Sequence, residues 1–177
     1  MRKRSLFICL LSLLVCTLAW GQETDILSRI REANLKSTLR ADFTQLRHSS
    51  LLAEDLVSSG FVALQAPDKV HWEVQKPVSR VSIFSGDVPQ GGRTRFRLPS
   101  EKDFTVSSME SGAELTVLLR PKRRDLSQLF TQIVLKVNPA DYTVKSVLLT
   151  GADGDWTEIS FSRLQTDIPL SPELFQK

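Results

Sequence analysis

The chain has 177 residues, enough for one domain with a substantial core, and its 23 Lys and Arg residues exceed its 20 Asp and Glu residues by three. That excess lies within the first four residues, which precede an apolar run, Ser5 to Leu18, and the small residues Ala19 and Gly21. Together they predict a cleaved signal peptide over residues 1–21. The mature chain is then neutral, so composition gives no reason to expect nucleic acid or an anionic membrane as a partner.

Both cysteines, Cys9 and Cys16, lie within this predicted leader. Residues 22–177 are therefore expected to form one domain without a disulfide, a cysteine metal site or a cysteine nucleophile. A membrane anchor is the first alternative for the leader, but its apolar run is shorter than the roughly 20 residues that a span requires. A lipoprotein signal is the second, and it is disfavoured because the bulky Val15 precedes Cys16.

The first mature segment, about Thr24 to Lys36, is predicted to be a helix. Thr24 suits the N-cap position, and Asp25 suits the first turn, where the helix dipole favours an acid. We expect this helix to cover one face of a sheet, because four residues form an apolar stripe at helical spacing: Ile26, Leu27, Ile30 and Ala33.

From Thr38 onward, apolar and polar residues alternate with the period of antiparallel strands that bury one face. Pro67 and Pro77 mark tight connections, because proline cannot donate to a central ladder. Asp125 to Phe130 is predicted to contain one helical turn. The predicted strands are Leu39 to Leu46, those within Asp55 to Gly86, Arg93 to Leu98, Phe104 to Ser107, Glu114 to Arg120, Gln132 to Val137, Val144 to Thr150 and Thr157 to Gln165.

The strands carry more inward-facing apolar residues than one short helix can cover. Either the sheet curls onto itself or it leaves an apolar cavity for a ligand. The candidate cavity residues are Phe43, Val62, Leu64, Trp72, Val74, Ile83, Leu115, Val117, Leu119, Ile133, Leu135, Val147, Leu149, Ile159 and Phe161.

No motif for catalysis or metal binding is found in the sequence, so we predict neither an enzyme nor a cofactor or metal site. His48 ends a strand beside two serines, and His71 is predicted to point outward, but no nucleophile motif accompanies either histidine. The acids Asp153, Asp155 and Glu158 are too few for a calcium site, and their loop is interpreted as a hairpin turn.

Three arginines alternate along one predicted strand, Arg93, Arg95 and Arg97. Such a set is usually a solvated strand face. The alternative is contact with an acidic partner or a lipid head group.

Seven segments follow the predicted helix in order: Ala41 to Gln45, Ser59 to Val62, Trp72 to Pro77, Ile83 to Gly86, Leu118 to Pro121, Gly154 to Phe161 and Pro172 to Phe175. Their order and spacing resemble the LolA family of periplasmic carriers that take lipoproteins from the inner to the outer membrane. The resemblance implies a mainly β fold: a curved antiparallel sheet that forms a half-open barrel, covered by an N-terminal helix and short lid helices.

The resemblance also implies the function and the partners. The protein would be a monomer in the periplasm, bind the acyl chains of lipoproteins in its cavity, and exchange cargo with an inner-membrane releasing transporter and an outer-membrane acceptor. A LolA-like lipid- or peptide-sensing regulator is the alternative. Two departures from the family are visible: Ala66 stands where some members have a gating arginine, and only a short connection follows Gly86 where members usually have more lid.

Overall fold

A computed structural model describes residues 26–34, 37–84 and 100–176, and in these ranges the chain forms one curved antiparallel sheet of nine strands. The strands are β1 (Thr38–His48), β2 (Leu56–Gln65), β3 (Lys69–Lys76), β4 (Arg80–Phe84), β5 (Phe104–Ser111), β6 (Glu114–Pro121), β7 (Phe130–Val137), β8 (Val144–Gly151) and β9 (Trp156–Thr166).

The sheet order is β4-β3-β2-β1-β9-β8-β7-β6-β5, so the first and last strands pair at its centre. On either side of them, strands that follow each other in sequence pair antiparallel. β4 and β5 form the two edges, and within the described ranges they do not pair with each other. The predicted open, mainly β architecture is confirmed.

Three short helices accompany the sheet: α1 (Ile26–Asn34), α2 (Arg124–Ser127) and a 3₁₀ helix (Pro172–Phe175). α1 covers the described part of the predicted helix, and the proposed cap Thr24 lies outside the described residues. None of the helices in the described ranges is long and apolar enough to cross a membrane.

Asn34 fixes the end of α1 against the β7–β8 loop. Its side-chain amide donates to the carbonyls of Ile30 (2.7 Å) and Tyr142 (2.9 Å), and its oxygen accepts the N–H of Val144 (3.0 Å). Arg29 adds a hydrogen bond to the Tyr142 hydroxyl at 2.8 Å. The helix is thus tied to the sheet at its C-terminal end.

Two clusters of buried apolar side chains lie on the face that α1 covers, which we call the inner face. In the helix cluster, Leu27 and Ile30 of α1 pack against β5, β6 and β7. The strand cluster is built without the helix, from buried residues of β1, β2 and β3: Leu39, Ala41, Val62 and Val70. α1 therefore buries one half of the inner face and leaves the other half to the strands themselves.

The opposite, outer face carries His71 and corrects the expectation for Ile83. His71 lies on that face as predicted, but it is only 5% exposed, because its Nδ1 is 2.6 Å from the carbonyl oxygen of Leu174 in the 3₁₀ helix. Ile83 was expected inside, but it pairs with His71 and therefore shares the outer face. On β4 the inner position is taken by Phe84, which packs against the strand cluster.

The predicted connections at Pro67 and Pro77 and the hairpin loops before β8 and β9 are confirmed. Three predictions fall outside the described residues: the leader at residues 1–21, the strand from Arg93 to Leu98, and the short connection after Gly86.

Candidate functional site

A cavity of about 380 Å³ lies between α1 and the central strands of the sheet. Residues of both clusters line it, so it occupies the space where the helix cluster and the strand cluster do not meet. The lining residues are Leu27, Ile30, Arg31, Asn34, Leu39, Ala41, Val62, Leu64, Ile133, Leu135, Val144, Val147, Leu149, Ile159, Phe161 and Leu164.

Strand register explains why these residues face one space. Val147 pairs with both Leu135 and Ile159, so three neighbouring strands each present an aliphatic side chain at the same level. Phe161 pairs with Phe43 of β1, which continues the apolar surface into the strand cluster. Because successive side chains of a strand point to opposite faces of the sheet, the alternating apolar residues of the sequence form one continuous apolar surface.

The lining is chemically simple, since fourteen of its sixteen residues are apolar. Asn34 is one of the two exceptions, and both of its N–H groups are already used within the protein. Arg31 is the other; it is exposed to solvent while also contributing to the lining, which places it at the mouth of the cavity. The surface that an apolar ligand would contact in the cavity is almost entirely hydrocarbon.

The sequence patterns missed several lining residues outside the candidate list, and Arg31 and Asn34 carry the most information. Leu27, Ile30, Arg31 and Asn34 follow the i, i+3, i+4, i+7 spacing of one helix face. Only the apolar members of the helix were considered for this face, so the two polar members were overlooked. The helical spacing alone could have identified Arg31 and Asn34 as residues that face the cavity.

Eight of the fifteen predicted cavity residues line the observed cavity. Six others share the inner face but lie beside the cavity, and Ile83 lies on the outer face. Phe43 and Trp72, for example, stack with ring centroids 4.1 Å apart. The eight are Val62, Leu64, Ile133, Leu135, Val147, Leu149, Ile159 and Phe161, and the six are Phe43, Trp72, Val74, Leu115, Val117 and Leu119. The three arginines Arg93, Arg95 and Arg97 lie outside the described residues.

The histidines and the acidic loop have structural partners of their own. The Nδ1 atom of His48 lies 2.7 Å from an Asp55 oxygen, and the ring stacks on Trp156. Asp155 accepts the N–H of Ser50 at 3.0 Å, and hydrogen bonds from Ser49 and Ser50 hold the pKa of Asp155 below its usual range. In the part of the chain that the structure describes, no group of three His, Cys, Asp or Glu residues is arranged to hold a metal ion.

Comparison with known proteins gives a consistent result. Residues 95–177 match the model of the family described as outer membrane lipoprotein carrier protein LolA. A protein of Methylococcus capsulatus named outer-membrane lipoprotein carrier protein is 28% identical over 183 residues, covering 90% of this chain and 88% of that protein.

Two solved structures align with most of the chain. The MucA/MucB complex of Pseudomonas aeruginosa aligns with a TM-score of 0.53 and 14% identity over 89% of this chain; this chain spans 61% of the length of that one. A LolA superfamily protein of Nitrosomonas europaea, NE2245, aligns with a TM-score of 0.48 and 10% identity over 88% of this chain and 97% of that one.

The MucB likeness indicates a shared fold. The sequence matches show similarity to the LolA family model over residues 95–177 and to one relative, at 28% identity, over nearly the whole chain. The chain is therefore similar, over most of its length, to a protein named as an outer-membrane lipoprotein carrier.

Proposed function

We propose that this protein carries acylated lipoproteins through the periplasm by holding their acyl chains in the cavity under α1. The observation that carries the proposal is the lining, in which fourteen of sixteen residues are apolar. Each buried CH₂ group contributes about 0.8 kcal/mol, so an acyl chain binds strongly without any directional contact. The relative named as a lipoprotein carrier supports the same function.

Binding without a covalent or catalytic step suits a carrier, because the cargo leaves unchanged. In this proposal the protein receives lipoprotein from an inner-membrane releasing transporter and delivers it to an outer-membrane acceptor. The described cavity, at about 380 Å³, is at the lower end of the roughly 300–1,000 Å³ range of ligand pockets. A cargo with several acyl chains therefore requires α1 to move away from the sheet, and the tie at Asn34 makes its C-terminal end the pivot.

The sensing alternative rests on the arginines of the predicted strand from Arg93 to Arg97, which lie outside the described residues. The likeness to MucB extends to the fold alone and does not favour it. We therefore give the carrier function as the conclusion.

Two neighbouring residues of β8 provide the test. Val147 lines the cavity, whereas Leu148 comes next on the strand and faces the other side of the sheet, and both are partly buried. The purified protein is mixed with a detergent-solubilised triacylated lipoprotein, the detergent is diluted, and captured lipoprotein is quantified for wild type, Val147→Asp and Leu148→Asp. Circular dichroism and urea unfolding establish that each variant is folded.

We expect wild type and Leu148→Asp to capture lipoprotein equally. Val147→Asp should lose capture at least about tenfold, because the acyl chain would displace water from a carboxylate and leave it without a partner. Failure of the wild-type protein to capture lipoprotein, or equal losses in the two folded variants, would overturn the proposal.

A further inference from the structure

We infer that the same cavity also takes a second class of ligand, a single-chain amphiphile with an anionic head group, whose chain lies inside while its head pairs with Arg31. A free fatty acid and a lysophospholipid share this chemistry. The inference goes beyond lipoprotein carriage and does not depend on it.

The size of the cavity favours one chain. Its volume of about 380 Å³ is small for a ligand pocket, and α1 covers one side of it in the described arrangement. A single-chain ligand can enter this cavity without displacing the helix, whereas a cargo with several chains cannot. The cavity in this arrangement is therefore already complementary to a single-chain amphiphile.

The position of Arg31 favours an anionic head. Arg31 occupies the i+4 position of the helix face that starts at Leu27, so it stands on the stripe that faces the cavity. An apolar residue would normally be expected there, since Ile30 on the same face is buried. A cation at this point interrupts the apolar stripe where the cavity meets solvent.

In the described part of the chain, no acidic side chain occupies the guanidinium of Arg31, so it can bind an anionic head group. None of the sixteen lining residues is an Asp or Glu, and in the described part of the chain Arg31 takes part in no ion pair. Asn34 cannot serve as the donor, because its two N–H groups bond to the carbonyls of Ile30 and Tyr142. The guanidinium, with five N–H donors, is thus the group that can bind a carboxylate or phosphate head.

Arg29 provides a matched control on the same helix. It carries the same charge but bonds to the Tyr142 hydroxyl and does not line the cavity. The delipidated protein and its Arg31→Gln and Arg29→Gln variants are loaded with a fluorescent fatty-acid probe. Three competitors with the same sixteen-carbon chain then displace it: palmitate, palmitoyl lysophosphatidic acid and the uncharged monopalmitoyl glycerol.

In wild type, we expect at least one of the two anionic competitors, palmitate or palmitoyl lysophosphatidic acid, to bind more tightly than the uncharged monopalmitoyl glycerol. Arg31→Gln should weaken binding of that anionic competitor about tenfold and leave monopalmitoyl glycerol unchanged, while Arg29→Gln should match wild type. The competitor with the larger loss, palmitate or the lysophosphatidic acid, identifies the head-group source.

Equal losses for the charged and uncharged competitors, or no loss for either anionic one, would overturn the inference. The result is separable from the carrier test. Lipoprotein capture can fail while palmitate binding still depends on Arg31, and capture can succeed while Arg31→Gln has no effect on any competitor.

Discussion

Gly60 lies at a bulge where the pairing of β2 with β3 shifts register between Ser59 and Gly60. A Cβ atom at this position would clash with the carbonyl oxygen of Glu73, far inside van der Waals contact. The clash is with backbone, so the two strands would have to separate next to the strand cluster. Glycine is therefore required at this position by close approach rather than by a positive φ.

We expect Gly60→Ala to lower the free energy of unfolding by about 2–4 kcal/mol, measured by urea denaturation. Gly112→Asn is the control. Gly112 has a φ of +59° in the β5–β6 turn, a Cβ atom there would meet nothing within 4 Å, and asparagine tolerates that conformation. A Gly60→Ala protein as stable as wild type would contradict this account of the bulge.

Glu73 makes stability depend on pH. A hydrogen bond from the Gln75 amide, then a hydrogen bond and positive charge from His71, hold the pKa of Glu73 below its ordinary value, while partial burial opposes them. An acid with a lowered pKa in the fold stabilises it above the pKa of the unfolded chain, about 4.3, and this contribution is lost as pH falls through the lowered pKa.

Glu73→Gln removes that contribution. Between pH 6 and pH 3, we expect the free energy of unfolding to fall less steeply in the variant than in wild type, with the variant less stable at pH 6. Urea denaturation at a series of pH values measures both. Parallel curves for the two proteins would show that Glu73 contributes nothing to the acid sensitivity.

At the scale of elements, the 3₁₀ helix is held on the outer face by His71. The ring faces the Leu174 carbonyl with Nδ1 (2.6 Å) and the Glu73 carboxylate with Nε2 (3.1 Å). Both partners only accept hydrogen bonds, so both contacts are made when the ring carries two protons. The ring also stacks on Phe61, with centroids 5.3 Å apart.

His71→Ala should release the 3₁₀ helix and accelerate amide hydrogen exchange in residues 168–176 about tenfold or more. His48→Ala is the matched control, because His48 stacks on Trp156 at the opposite end of β9. If His71→Ala leaves amide exchange in residues 168–176 unchanged, contacts other than those of His71 hold the 3₁₀ helix.

The C-terminal end of α1 depends in the same way on one side chain. Asn34→Ala removes three hydrogen bonds and leaves the N–H of Val144 and the carbonyl of Tyr142 without those partners. We expect a loss of about 1–3 kcal/mol in the free energy of unfolding and faster amide exchange along α1. The exposed Glu32→Ala, on the same helix, should change neither; a similar effect from both variants would contradict the role given to Asn34.

At the scale of the whole molecule, the alternation of apolar residues predicted the strands well, because one buried face per strand imposes a period of two. Leu115, Val117 and Leu119, for example, are all buried on one side of β6. The pattern could not say which buried residues border empty space and which pack tightly. Val117 is fully buried in the helix cluster, whereas Val147, with the same pattern, lines the cavity.

One wrong assignment and one contact that the sequence did not predict have physical causes. On β4, apolar residues stand at both odd and even positions, so alternation does not tell which set faces inward. Ile83 was therefore assigned to the face that Phe84 occupies. The burial of His71 depends on the 3₁₀ helix, about a hundred residues later in the chain, and no local pattern on β3 reports that contact. Periodicity is thus ambiguous where apolar residues occupy both faces of a strand, and it does not report contacts between distant segments.

The central claim is that acyl chains occupy the space between α1 and the central strands. Methyl-labelled NMR of the protein, titrated with a triacylated lipopeptide, tests it most directly. We predict chemical-shift changes at the cavity methyls of Val147, Ile159 and Leu164, and little change at Val134 and Leu148 on the outer face. Shifts confined to the outer face, or none at saturating lipopeptide, would contradict the claim.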